Sequence, residues 1–145
     1  MALERETIEK GSRLDISWGG LGAESQARVV LSAMLFPGVS VAGTTRKEHG
    51  ATSTQPERPV QRAAVLALWT PLIAGAGASE SALPAGDDIR IEARLQGRVS
   101  RTIATTWAAA RGDAGLRALI DAARTLLAEV EPLAAAEVDG RWQEP

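Results

Sequence analysis

The side chains best suited to chemistry lie in a polar stretch between residues 44 and 59. It contains the only histidine, His49, directly after Glu48. Histidine titrates near neutral pH and can act as a general base, so a small enzyme using His49 with Glu48 or Asp87 is one hypothesis. We favour a solvated loop histidine. A single histidine without any cysteine is a poor metal site, so no metal ligands are predicted.

The remaining motifs do not combine into a catalytic site. The run Gly19-Gly20-Leu21-Gly22 could cradle a phosphate only if a helix with Lys-Ser/Thr followed, and none does. We predict a plain turn there. Asp87 and Asp88 are adjacent on a predicted strand, so their carboxylates point to opposite faces. The sequence therefore predicts no catalytic residue and no cofactor.

Four arginines form a basic stripe on one predicted hairpin, at positions 90, 94, 98 and 101. Such a stripe could grip an acidic partner or a phosphate backbone, although we favour a solvated outer face. The chain carries a net charge of −2 with a pI near 5.5, which argues against nucleic-acid binding.

That hairpin and the helix after it are the most clearly specified elements. Apolar residues alternate with charged ones over 88–95, Gln96-Gly97 supplies the turn, and 98–107 is the return strand. Asp113 is the predicted N-cap of a long helix that Pro132 ends. The apolar stripe of this helix is predicted to pack on the hairpin, and its members are Leu116, Leu119, Ile120, Ala123, Leu126, Leu127 and Val130.

The first half of the chain reads as strands followed by one helix. Alternation predicts a strand at Leu14, Ile16 and Trp18, a second over 25–36, and a short third over 39–43. The stretch 44–59 is predicted to be a long loop. Pro59 is expected to open a largely apolar helix over 60–74, and a loop over 78–87 leads to the hairpin.

These elements predict one α+β domain. We expect a small antiparallel sheet of four or five strands with two helices packed on one face. The domain is assigned to residues 13–132, with an N-terminal extension at 1–12 and a C-terminal tail at 133–145. Residues 3–10 of the extension could form a short helix stopped by Gly11.

Composition sets the broad class of protein. The 145 residues are 45% hydrophobic and include no cysteine, which fits a globular chain without disulfides. No signal region and no transmembrane run is recognised, so a cytoplasmic protein without membrane partners is expected. The abundance of Ala and Arg suggests a bacterial gene.

The order of these parts resembles that of a known inhibitor family. A strand ends in Gly-Gly, a return strand, a helix and a loop follow, and a hairpin with a Gly turn precedes the closing helix. The motifs are Gly19-Gly20, Ala82-Leu83-Pro84-Ala85, Gly97-Arg98 and Leu116-Arg117-Ala118-Leu119-Ile120. Over about residues 13–35 and 59–127 the chain resembles the emfourin-type inhibitors of thermolysin-like metalloproteases, and it departs from them by the insert at 37–58, by its single Phe and by its lack of Tyr. The resemblance implies a small protein that acts by occupying another protein.

The leading hypothesis is a non-enzymatic module for protein binding or assembly, such as a structural oligomer. Its partner would be another protein or a second copy of the chain, and the working surface would be the 44–59 loop and the apolar helix. The alternatives are a metalloprotease inhibitor and the His49 enzyme. The candidate partner-binding residues are Arg46, Lys47, His49, Arg58, Leu68, Trp69, Arg90 and Arg94.

Overall fold

A six-stranded antiparallel sheet carries the fold, and helices pack on one of its faces. The computed structural model describes residues 3–76 and 85–143. In chain order the elements are α1 (Arg5–Lys10), β1 (Ser12–Leu21), β2 (Ala27–Phe36), β3 (Val39–Glu48), β4 (Ala51–Pro59), α2 (Arg62–Ile73), β5 (Ala85–Leu95), β6 (Arg98–Thr105), α3 (Trp107–Gly112), α4 (Ala114–Val130) and α5 (Pro132–Trp142).

The strand order is β4-β3-β2-β1-β5-β6, and every neighbouring pair is antiparallel. The predicted α+β class and the antiparallel sheet are confirmed. The sheet is larger than the four or five strands expected, and the described residues form five α-helices where two were expected. No helix in residues 3–76 or 85–143 is long and apolar enough to cross a membrane.

Strict alternation explains which face of the sheet is buried. Leu14, Ile16 and Trp18 of β1 are fully buried, as the spacing of two predicts. The predicted second strand is confirmed as β2, whose inward residues are Ala27, Val29, Leu31, Ala33 and Leu35. These side chains meet those of the helices in one hydrophobic core.

The long helix is confirmed as α4. The Asp113 carboxylate caps it by accepting a hydrogen bond from the Leu116 N–H at 2.9 Å. Every residue of the predicted apolar stripe is buried, and the stripe packs against α2 as well as the sheet. The helix ends at Val130, and Pro132 opens α5.

The predicted 44–59 loop is wrong, because this stretch forms the second half of β3 and all of β4. His49 and Gly50, with φ of 51° and 80°, make the tight turn between them. All nine residues of β4 are exposed, so no apolar alternation marked it as a strand. Pro56 and Pro59 are tolerated because β4 is an edge strand.

The apolar helix begins at Arg62, two residues after the start of the predicted 60–74 helix. Pro59 ends β4, and α2 starts at Arg62 after the N-cap Gln61. Leu68 and Trp69 are completely buried in the core, with 0% of their surface exposed. Their expected role in binding a partner is therefore replaced by packing within the domain.

Both ends of the predicted domain are extended by packed helices. The short helix that residues 3–10 could form is present as α1, and its Ile8 is buried in the core. The predicted C-terminal tail differs, since residues up to Trp142 form α5. The indole N–H of Trp142 donates to Asp121 at 3.0 Å, and this ring is only 6% exposed. Of the predicted 78–87 loop, residues 78–84 lie outside the described part and the rest belongs to β5.

Candidate functional site

The predicted binding residues do not form one surface. Lys47, Arg90 and Arg94 project from the sheet on the side opposite the helices, as their strand registers require. His49 occupies the tip of the β3–β4 hairpin, and Arg58 lies exposed on the edge strand.

Arg46 faces the helices and connects the sheet to α5. Its guanidinium forms a two-pronged ion pair with Glu137, with one hydrogen bond of 3.0 Å, and also reaches Glu48 at 3.4 Å. The hydrogen bond to Glu137 is the main reason why the pKa of Arg46 is raised, and burial opposes it. Arg46 therefore pairs with Glu137 within the domain, whereas the sequence suggested that it contacts another protein.

The groups proposed to assist His49 are committed elsewhere. The Glu48 carboxylate accepts a hydrogen bond from Arg46, while the Asp87 carboxylate lies 3.5 Å from Arg28. His49 itself is exposed in a turn and not in a cleft. Within the described residues, no group of three or more His, Cys, Asp or Glu could hold a metal ion.

The face of the sheet that the helices leave uncovered is the main unassigned surface. We call it the open face. It is formed by the outward residues of β1, β2, β3 and β5, which alternate with the core residues. Its centre carries two ion pairs: Arg13 donates to Asp15 at 3.0 Å, and Arg94 donates to Glu92 at 2.8 Å. These pairs neutralise both carboxylates at the centre.

One end of the open face is basic. Arg28 lies directly opposite Lys47, and Ser17 lies opposite Arg90. Together with the central residues they line a groove of about 440 Å³. Lys47 and Arg90 form no ion pair with the described residues. We call Arg28, Lys47 and Arg90 the basic end.

The other end of the open face is apolar. Phe36 and Val39 are cross-strand partners and are 44% and 49% exposed, and Met34 pairs with Val41 beside them. We call these four residues the apolar end. A cavity of about 470 Å³ next to Met34 and Phe36 is also lined by the central arginines Arg13 and Arg94. Exposed apolar contacts bordered by charge are typical of protein-binding surfaces.

The two glycines predicted to form a turn instead lie inside β1, where they admit arginines on opposite faces. A Cβ on Gly19 would lie 2.5 Å from Nη2 of Arg28, on the open face. A Cβ on Gly20, where φ is +71°, would lie 3.3 Å from Nη1 of Arg141, which donates to the Gly20 carbonyl at 3.0 Å. The indole N–H of Trp107 donates to the Gly19 carbonyl at 3.3 Å. The glycines therefore serve close packing at the point where α3 and α5 meet the sheet.

Sequence reasoning missed Arg28, Ser17 and the apolar end. A signal was present, because Arg28 and Ser32 of β2 alternate with its core residues. The alternation identifies outward positions on each strand, but strand order decides which of them become neighbours. Comparisons of the chain with models of protein families, with curated proteins and with solved structures found no match.

Proposed function

We propose that this protein is a non-enzymatic protein-binding module that docks another protein on its open face. The observation that carries the proposal is the contrast between the two sides of the sheet. The helices bury one side in the core, while the other presents an apolar end, central ion pairs and a basic end. An apolar contact area within a polar surround is the usual composition of a protein interface.

The apolar end supplies the contact area that such docking needs. Phe36 and Val39 are about half exposed, and their burial against a partner would remove apolar surface from water. The neighbouring strands hold these side chains at fixed spacing, which lowers the entropy lost on binding. A rigid sheet face with exposed apolar groups is better suited to contact than to chemistry.

The test uses the full chain as bait and two matched surface variants. Proteins retained by the wild-type chain are identified, purified and titrated against it by calorimetry. Phe36→Ser combined with Val39→Ser should weaken binding by at least about tenfold, the loss expected from removing two partly buried apolar groups. Leu133→Ser on α5, where the side chain is 79% exposed, is the control and should bind normally.

Two outcomes would overturn the docking surface. A partner that binds the Phe36→Ser/Val39→Ser chain as tightly as wild type does not use the open face. A partner lost with Leu133→Ser uses the helical side instead. If the only protein retained is the chain itself, the partner is a second copy, and its solution mass should then depend on the apolar end.

Inhibition of a thermolysin-like metalloprotease is a narrower form of the same proposal. The order of parts that carries the resemblance to emfourin-type inhibitors runs through β1, β2, α2, the β5–β6 hairpin and α4, all in one fold. Incubation of the chain with such a protease should slow its turnover. Undiminished turnover at a molar excess of the chain would remove this form and leave the broader proposal standing.

A further inference from the structure

Arg28, at the centre of the basic end, is held in place from both sides. Its guanidinium lies against the backbone of Gly19, in the space that a side chain at position 19 would fill. Nη1 of Arg28 donates to Ser17 Oγ, and Nη2 donates to the Asp87 carbonyl. Ser17 is 7% exposed and Arg28 is 26% exposed, so the charge sits in the sheet surface and not on a free side chain.

Glycine at position 19 is explained by space and not by conformation. Its φ lies outside the left-handed region, so alanine could adopt the same backbone. A Cβ there would meet only the far end of the Arg28 side chain, with Cζ at 3.0 Å and Nη2 at 2.5 Å. Gly19 therefore fixes where the Arg28 charge lies without being needed for the strand.

The basic end keeps a net positive charge, because among the described residues only one of its three cations, Arg28, has a carboxylate partner. Arg28 and Lys47 are directly opposite on β2 and β3, an arrangement of like charges that destabilises a sheet. Arg90 extends the cluster from β5. The central carboxylates already accept from Arg13 and Arg94, which leaves Asp87, whose side chain is 79% exposed, as the one carboxylate of the described residues that lies beside Arg28.

We propose that Arg28, Lys47 and Arg90, with Arg28 positioned by Gly19, form a subsite for a carboxylate of an acidic segment in the partner protein. This inference rests on the proposed function and adds the chemistry of the partner. A carboxylate accepts charge-assisted hydrogen bonds from a guanidinium and would relieve the repulsion between Arg28 and Lys47.

The geometry also sets the length of the segment. Arg28 and Met34 are six residues apart on β2, which is about 20 Å along a strand. An extended partner segment with an acidic residue and an apolar residue about six positions apart would reach both ends of the open face. A single-stranded nucleic acid is the disfavoured ligand, because no aromatic ring lines the described groove for bases to stack on.

The test is a titration of the ¹⁵N-labelled full chain with a capped hexaglutamate peptide, followed by NMR. Saturable shifts are expected at the Arg28 Nε–H and at the amides of Ser17, Lys47 and Arg90. Gly19→Ala should weaken binding by about tenfold, comparable to losing one charged hydrogen bond. Gly112→Ala is the matched control, because a Cβ there meets nothing within 4 Å, and it should bind as wild type does.

Control ligands distinguish a carboxylate from a phosphate and separate this inference from the proposed function. Capped hexaglutamine should not bind. The inference would be overturned if hexaglutamine bound as tightly as hexaglutamate, or if Gly19→Ala left the affinity for hexaglutamate unchanged. Tighter binding of oligothymidine or inorganic phosphate at the same residues would replace the acidic segment by a phosphate ligand. If Gly19→Ala is unfolded by circular dichroism, Arg90→Gln is used in its place with the same expected loss. If hexaglutamate does not bind the chain but binding of the partner still requires Phe36, the proposed subsite is wrong and the proposed function stands.

Discussion

The two faces of one sheet have opposite compositions, although the same strands form both. Along β2, Leu31 is fully buried beneath the helices, while its neighbour Val30 lines the groove of the open face. The covered face is almost entirely apolar, and the open face mixes arginines, carboxylates, hydroxyls and an apolar end. Because side chains alternate on a strand, the residues that stabilise the fold and those that we propose for recognition are separate although they are adjacent in sequence.

This separation has a practical consequence for mutational analysis. A substitution on the covered face changes the free energy of unfolding, whereas one on the open face should change binding and leave the fold intact.

The largest contrast is expected between the neighbours Leu31 and Val30. Leu31→Ala should lower the free energy of unfolding by about 2–5 kcal/mol, because it removes buried methyl groups and leaves a cavity. Val30→Ala should cost less than about 1 kcal/mol, since its side chain is partly in water. Urea denaturation followed by Trp fluorescence measures both. Equal losses would mean that the open face is covered in solution.

A second contrast uses the two adjacent glycines of β1. Gly20→Ala should cost about 1–3 kcal/mol, because φ there is +71° and the added Cβ would press on Arg141. Gly19→Ala should cost under about 0.5 kcal/mol, because only the end of the Arg28 side chain must move. The thermal midpoints of the two variants give the comparison. A larger loss for Gly19→Ala would show that the β1 backbone, and not Arg28, needs that glycine.

The third prediction concerns the ion pair that fastens α5 to the covered face. Arg46→Met should lower the free energy of unfolding by about 1 kcal/mol, since both partners are about two-thirds buried and doubly hydrogen-bonded. Glu137→Gln should have a similar effect, and the double variant should lose less than the sum. Denaturant curves for the four chains form the cycle. Strict additivity would contradict a direct interaction.

The smallest effect on stability is expected at Asp15, where a substitution should also change the affinity for the hexaglutamate peptide. Asp15→Asn should change the free energy of unfolding by less than about 1 kcal/mol, because Arg13, its ion-pair partner, is about half exposed. It frees Arg13 from its carboxylate, so the hexaglutamate peptide should bind more tightly. Glu129→Gln on the exposed side of α4 makes the same change in net charge and should not alter the affinity. Equal gains in both variants would indicate only a general charge effect.

The local elements with strong periodic patterns were predictable. The strand at Leu14, Ile16 and Trp18, the 88–95 strand with its Gln96-Gly97 turn, and the α4 stripe with the Asp113 cap were each confirmed. Local physics decides these elements: apolar alternation, positive φ in a tight turn, and an oxygen that accepts from the first helical N–H groups.

The candidate site was predictable only in part. Lys47, Arg90 and Arg94 were named from the sequence, and they do project from the open face. Leu68 and Trp69 were misjudged because an apolar helix reads the same whether its own domain or a partner covers it. The β4 strand was missed because an edge strand exposed on both faces carries no apolar alternation.

The sequence alone therefore determined which segments are amphipathic and which of their sides are apolar, since each pattern depends on neighbours within one element. Only the tertiary structure decided which charges meet. Arg28, Lys47 and Arg90 come from β2, β3 and β5, and strand pairing across the sheet places them at one end of the same face. The role of Gly19 follows from the same cause, because the side chain that occupies its space belongs to another strand.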